Sequence, residues 1–105
     1  MLTVLPAGSA MLEGDLGIPE GARGVVRFAH GSGSSRHSTR NRSVAGALQA
    51  GGLATLLIDL LTPEEEAADA RTAQLRFDIG LLAGRLVSAT DWLAIEPDTR
   101  GLKVG

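Results

Sequence analysis

The chain has 105 residues, 44% of them hydrophobic, with ten basic and twelve acidic side chains, a formal charge of −2 and no cysteine. That length holds one domain, and the apolar content is enough for a core and too high for a disordered chain. The charge balance leaves no positive field to hold DNA or RNA, and the absence of cysteine excludes disulfides and thiolate metal sites.

The opening Met1-Leu2-Thr3-Val4-Leu5 has no basic lead and is far shorter than a secretory apolar region. No run of about eighteen apolar residues occurs anywhere, so neither a membrane span nor a membrane partner is expected, and the cytoplasm is the expected compartment. Residues Leu2 to Leu16 mix Val, Leu and Met with Gly and Pro and read as two short strands, with Gly14-Asp15 and Pro19-Glu20-Gly21 as turn signals. Gly24 to Ala29 is a nearly continuous apolar run, the pattern of a strand covered on both faces. Arg27 is its awkward residue and suits a position near a sheet edge.

That strand breaks into His30-Gly31-Ser32-Gly33-Ser34-Ser35-Arg36-His37. Ser38 or Thr39 then caps a helix with Val44, Ala45 and Leu48 on its inner face and Gly51-Gly52 at its end. Leu53 to Ile58 is a second buried strand, with Asp59 at its carboxyl end. Strand, loop, helix and strand make one βαβ unit, so the two strands should run parallel.

Thr62-Pro63-Glu64-Glu65 is a helix start: a Thr cap, Pro at the first helical position, and Glu65 at the capping-box position. Glu64, Glu65 and Glu66 also favour the positive end of the helix dipole. Leu75, Ile79, Leu82, Leu86, Ala89 and Leu93 recur at steps of four and three, an apolar stripe widened by Phe77, Leu81 and Trp92. Asp78 and Asp91 read as structural helix residues, Trp92 reads as core, and Pro97 ends the helix. Leu102-Lys103-Val104-Gly105 looks like the opening of a third core strand. The alternation predicts an α/β layered fold with helices on both faces of the sheet.

The loop from His30 to His37 carries the chemistry. Two alternate glycines let the main chain turn tightly, and a helix N-terminus behind them favours an anion. Arg36, Arg40 and Arg42 add positive charge nearby, although such arginines commonly face solvent or pair with acids.

A dinucleotide site would use Gly31 and Gly33 with Asp59 on a ribose, but Arg36 stands where the third glycine belongs, and Asp59 lies beyond the usual spacing of about 20 residues. A Walker loop lacks its G-K-[ST]. A self-sufficient catalytic loop would pair Ser34 or Ser35 with His37 as base, and no third group is evident to orient that histidine. An oxyanion hole asks only for main-chain donors, and in α/β-hydrolases one of them follows the third strand in a motif beginning His-Gly.

Phe28 to Ser38, with Asn41-Arg42 and Leu56 to Glu66, resembles the dienelactone hydrolase family of α/β-hydrolases, as do Leu75 to Ile79 and Ala89 to Leu93. The resemblance implies that residues 1–105 are the N-terminal half of a single α/β-hydrolase domain, a three-layer αβα fold on a mostly parallel sheet. It implies serine-type hydrolysis of a small ester or lactone, with no cofactor and no metal. The Ser32 backbone N–H would be an oxyanion donor, His30, Gly31 and Gly33 would shape the turn, and Ser34, Arg36, His37 and Asp59 would border the pocket.

The family's nucleophile sits on a G-x-S-x-G-like elbow after the next strand, followed by an acid and a histidine. No such elbow exists among these residues, and both histidines precede any place for one. The resemblance therefore implies a domain truncated before the elbow, a triad beyond Gly105 and an inactive isolated chain. It also implies that Val25 to Ala29 pairs with the strand beginning at Val104, leaving an apolar sheet edge open to self-association. The competing expectation is a non-catalytic module that binds a nucleotide or small anion at the same loop.

Overall fold

The structure is a computed structural model and describes residues 2–30, 38–72 and 78–105. Strands β1 (Leu2–Ala7) and β2 (Ala10–Gly17) form an antiparallel hairpin in which Leu5 faces Leu12 across the ladder. Its turn is Gly8-Ser9, where Gly8 takes φ of 62°, a left-handed conformation that only glycine adopts without strain. Gly14-Asp15, expected as a turn, lies instead inside β2. The reason is close approach: a Cβ on Gly14 would sit 3.1 Å from the Leu57 carbonyl oxygen and 3.2 Å from a Leu56 methyl.

Strand β3 (Gly24–His30) follows, then helix α1 (Thr39–Ala50), strand β4 (Ala54–Asp59), helix α2 (Pro63–Thr72), helix α3 (Ile79–Ile95) and strand β5 (Lys103–Val104). The sheet order is β1-β2-β4-β3-β5. β3 and β4 are parallel, as are β3 and β5, while β2 opposes both β1 and β4. β2 is thus the one reversed strand, and β1, β3 and β4 end on the same rim of the sheet.

Ala54, Leu56 and Ile58 of β4 enter a core with Leu5, Leu12, Leu16, Val25, and Ala89 and Leu93 of α3. Thr55 and Leu57 point to the other face, beside Ala45 and Gln49 of α1. Helices therefore cover both faces, as the alternation predicted. The buried Thr55 hydroxyl is matched by Gln49, whose Nε2 donates to it at 2.7 Å.

The two buried strands expected from the apolar runs differ. β4 is buried at every position but its last, whereas in β3 only Gly24 and Val25 are buried, Val26 to Phe28 are half-buried and Ala29 is exposed. β4 lies between β2 and β3, and β5 pairs with β3 at Gly24↔Lys103 and Val25↔Val104. The expected pairing of Val25 with Val104 is present. The Arg27 N–H donates to the Gly105 carbonyl at 3.2 Å.

The helical stripe holds in its second half. Ala89 and Leu93 are fully buried and Leu82 and Trp92 pack against the core, but Ile79 is 71% exposed because it begins α3 rather than continuing a longer helix. Asp78 is that helix's cap rather than one of its residues, accepting from the Leu81 N–H at 3.0 Å. Leu75 and Phe77 lie outside the described residues. In α1, Ala45 is buried and Leu48 half-buried, while Val44 is 44% exposed and does not join the inner face.

Leu56 and Leu93 are fully buried. Truncating either to alanine is expected to cost about 2–5 kcal/mol, read as a lower denaturation midpoint at unchanged denaturant slope.

Candidate functional site at the carboxyl rim of the sheet

β3 ends at His30 and β4 ends at Asp59, and the two residues are direct partners in the parallel ladder. At the start of α1 the Ser38 Oγ accepts from the Asn41 N–H at 3.5 Å. Of the expected site residues, the backbone of His30 and all of Asp59 are described. Gly31, Ser32, Gly33, Ser34, Arg36 and His37, together with Ser35, lie outside the described residues. Asp59 is half-buried at the rim.

Two of the nearby arginines have surface roles. Arg40 is exposed, and Arg42 pairs with Asp15 of β2, Nη2 to Oδ2 at 2.9 Å, tying α1 to the sheet. Beside this pair a cleft of about 260 Å³ runs between β2 and α1. A second cleft of about 350 Å³ lies on the rim itself, between the Gly8-Ser9 turn and the first turns of α3. Among the described residues no group of three His, Cys, Asp or Glu could hold a metal ion.

The polar centre of the rim is one the sequence reading assigned to helix capping alone. The expected capping box is formed: the Thr62 N–H donates to Glu65 Oε1 at 2.9 Å, and the Glu65 N–H to Thr62 Oγ1 at 3.2 Å. The same carboxylate also receives the guanidinium of Arg85, which is 8% exposed, through Nη1 to Oε1 and through Nη2 to Oε2 at 2.8 Å. Arg85 Nη1 further donates to the Leu60 carbonyl at 2.8 Å. The hydrogen bonds from Arg85 lower the Glu65 pKa most; burial opposes them and the Thr62 N–H assists, leaving it at about 2 against an ordinary 4.5. Arg85 is raised in turn, chiefly by its hydrogen bonds to Glu65. The signal in the sequence was a charged residue set inside the apolar stripe between Leu82 and Leu86.

No family model matches the chain. A crystal structure of a dienelactone hydrolase from Anabaena variabilis superposes with a TM-score of 0.95 at 65% identity, covering all of this chain and 49% of that one. Est1E of Butyrivibrio proteoclasticus superposes over 93% of this chain and 36% of its own with a TM-score of 0.71 at 15% identity, a likeness of fold alone. Two Mycobacterium tuberculosis proteins, provisionally named as phosphoribosyl transferases, are each 59% identical over 99 residues, which is 94% of this chain and 21% of theirs. The chain thus spans about a fifth of those relatives and half of the solved hydrolase. Among the described residues no helix is long and apolar enough to cross a membrane. The five-stranded mixed sheet with helices on both faces, superposed on the solved hydrolase throughout, gives the chain an α/β-hydrolase-like fold.

Because the folded Glu65 pKa is depressed, its stabilising contribution is complete above pH 4.5 and is lost as the pH falls through about 2. The wild-type melting temperature is expected to fall across that interval more steeply than that of Glu65→Gln. Parallel profiles for the two proteins would contradict the pairing.

Proposed function

We propose that this chain supplies the oxyanion-hole segment of a serine-type hydrolase acting on a small ester or lactone. The observation that carries the reading is that His30, the last residue of β3, is the ladder partner of Asp59 at the end of β4, while the sequence from His30 to the capped helix α1 begins His-Gly-Ser-Gly. The similarity to a dienelactone hydrolase over the whole chain supports it.

In this reading the Ser32 main-chain N–H donates to the oxygen that gains charge as the acyl carbon becomes tetrahedral. The second donor is the N–H of the residue after the nucleophile. His30, Gly31 and Gly33 shape the turn, and Ser34, Arg36, His37 and Asp59 border the substrate. The 105 residues contain no G-x-S-x-G, so the nucleophile, acid and catalytic histidine come from another segment. The name of the Mycobacterium tuberculosis relatives describes proteins of which the match is 21%, and their activity is not carried over. A nucleotide or small anion held by the same glycine-rich loop is the competing reading, and calorimetry of the chain with NAD or inorganic phosphate would detect it.

The test grafts these residues onto the Anabaena enzyme in place of the half they match. The graft is expected to hydrolyse a p-nitrophenyl ester. Ser32→Pro, which removes the N–H, should lower its kcat by about 10²–10³-fold, and Ser32→Ala should lower it less. A folded graft indifferent to Ser32→Pro would refute the assignment.

The isolated chain is expected to show negligible esterase turnover. Turnover abolished by Ser34→Ala or His37→Ala would instead establish the self-sufficient loop.

A further inference from the structure

We infer that the cleft between β2 and α1 is a binding site for a small ring amide, of the lactam class, recognised by Gln49 and Thr55. The cleft lies on the α1 face of the sheet beside Thr55 and Leu57 of β4, whose ladder partners are Gly17 and Asp15. His30 and Asp59 do not line it. Its volume of about 260 Å³ falls just under the usual range of ligand pockets, roughly 300–1,000 Å³, and suits a single ring rather than an extended molecule.

The polar groups on its wall are half used. Thr55 is 1% exposed, so bulk water does not solvate its hydroxyl. The Gln49 Nε2 donates to Thr55 Oγ1 at 2.7 Å, which leaves the hydroxyl its own hydrogen to donate and leaves Gln49 its Oε1 and a second N–H. Among the described residues no group accepts from the Thr55 hydroxyl or donates to Gln49 Oε1. Incomplete pairing at a buried polar group costs free energy, and because both residues line the cleft a guest there completes them.

Two glycines shape the space. A Cβ on Gly17 would collide with the Gln49 amide, so glycine lets that amide lie against β2. A Cβ on Gly46 would meet nothing within 4 Å, and the wall that α1 gives the cleft is open there. Glycine inside a helix is unfavourable, yet Gly46 stands in the middle of α1. Ala45 and Leu57, both buried, offer apolar contact to the face of a ring. Arg42 and Asp15 also line the cleft, but as an ion pair they give it no net charge to select an ion.

The free groups set the ligand class. An acceptor and a donor on one planar amide match a ligand that carries a donor and an acceptor on adjacent atoms. A ring that holds its amide cis presents N–H and C=O in that way, and the Thr55 hydroxyl supplies one more donor. A carboxylate has no hydrogen for Gln49 Oε1, and a hydrocarbon ring satisfies none of these groups.

The test titrates the 105-residue chain with δ-valerolactam and, as control, with N-methyl-δ-valerolactam, which lacks the N–H. Backbone amides and the Gln49 side-chain amide are followed by NMR. Saturable shifts are expected at Gly17, Gly46 and the Gln49 side chain, with a Kd on the order of 1 mM for so few atoms. The N-methyl form should bind about tenfold more weakly, as should δ-valerolactam to Gln49→Met, which keeps the volume and loses the amide.

Gly46→Leu fills the cleft from its open wall. It is expected to abolish the shifts and to raise the melting temperature, because leucine is the better helix former. If Gly46→Leu does not fold, Gln49→Met and the N-methyl control decide the matter. Shifts that never saturate, equal binding of the two lactams, or binding that survives Gly46→Leu or is unchanged in Gln49→Met would each overturn the site. None of these residues enters the hydrolase reading, which stands or falls separately.

Discussion

β4 is bonded along both edges and packed on both faces, and every other position in the fold is referred to it. Its Gly-facing edge admits β2 closely because Gly14 carries no side chain, and its other edge fixes β3 residue by residue from Val25↔Ala54 to His30↔Asp59. Its side chains alternate between the α3 core and the α1 face. A strand so enclosed has one admissible register, since a slip of one residue would exchange Leu56 and Ile58 with Thr55 and Leu57. The carboxyl ends of β3 and β4 are level for that reason, and the rim where ligands bind in such sheets is defined by it.

The rim combines an apolar foundation with a small polar anchorage. Leu60 and Leu61 bury the chain as it leaves β4, and this creates the demand for a hydrogen-bond donor that Arg85 meets. Glu65 then balances the arginine and caps α2 with the same carboxylate. Burying the charges is tolerable because both are bonded at several points, and removing either partner would leave the other poorly solvated. The exit of β4 and the first turn of α2 are thus joined to α3, 20 and 25 positions away in sequence, without a disulfide.

Much of the local structure was legible because it follows from short-range chemistry. The Ser38 cap, the Thr62 and Glu65 capping box, the helix stop ahead of Pro97 and the βαβ order are written within a few residues each. The parallel pairing of β3 with β4 followed from connection rules, and that of β3 with β5 was implied by the family resemblance. Ala89 and Leu93 were assigned correctly to the core by helical period, whereas Val44 and Ile79 were not, because period tells which residues share a face and not how far the neighbouring layer extends. Gly14 misled for a related reason: a glycine that permits close strand approach carries the same letter as one that permits a turn.

The sequence by itself determined the order of elements, their caps and the presence of a glycine-rich loop between a strand and a helix, all properties of contiguous residues. It also carried the likeness to a hydrolase family in the residues around that loop. Only the tertiary structure decided that His30 stands opposite Asp59 and that Arg85 and Glu65 meet at the Leu60 carbonyl. Those facts depend on strand order and on contacts across 20 and 25 positions of sequence, where no local propensity specifies a partner and burial selects it.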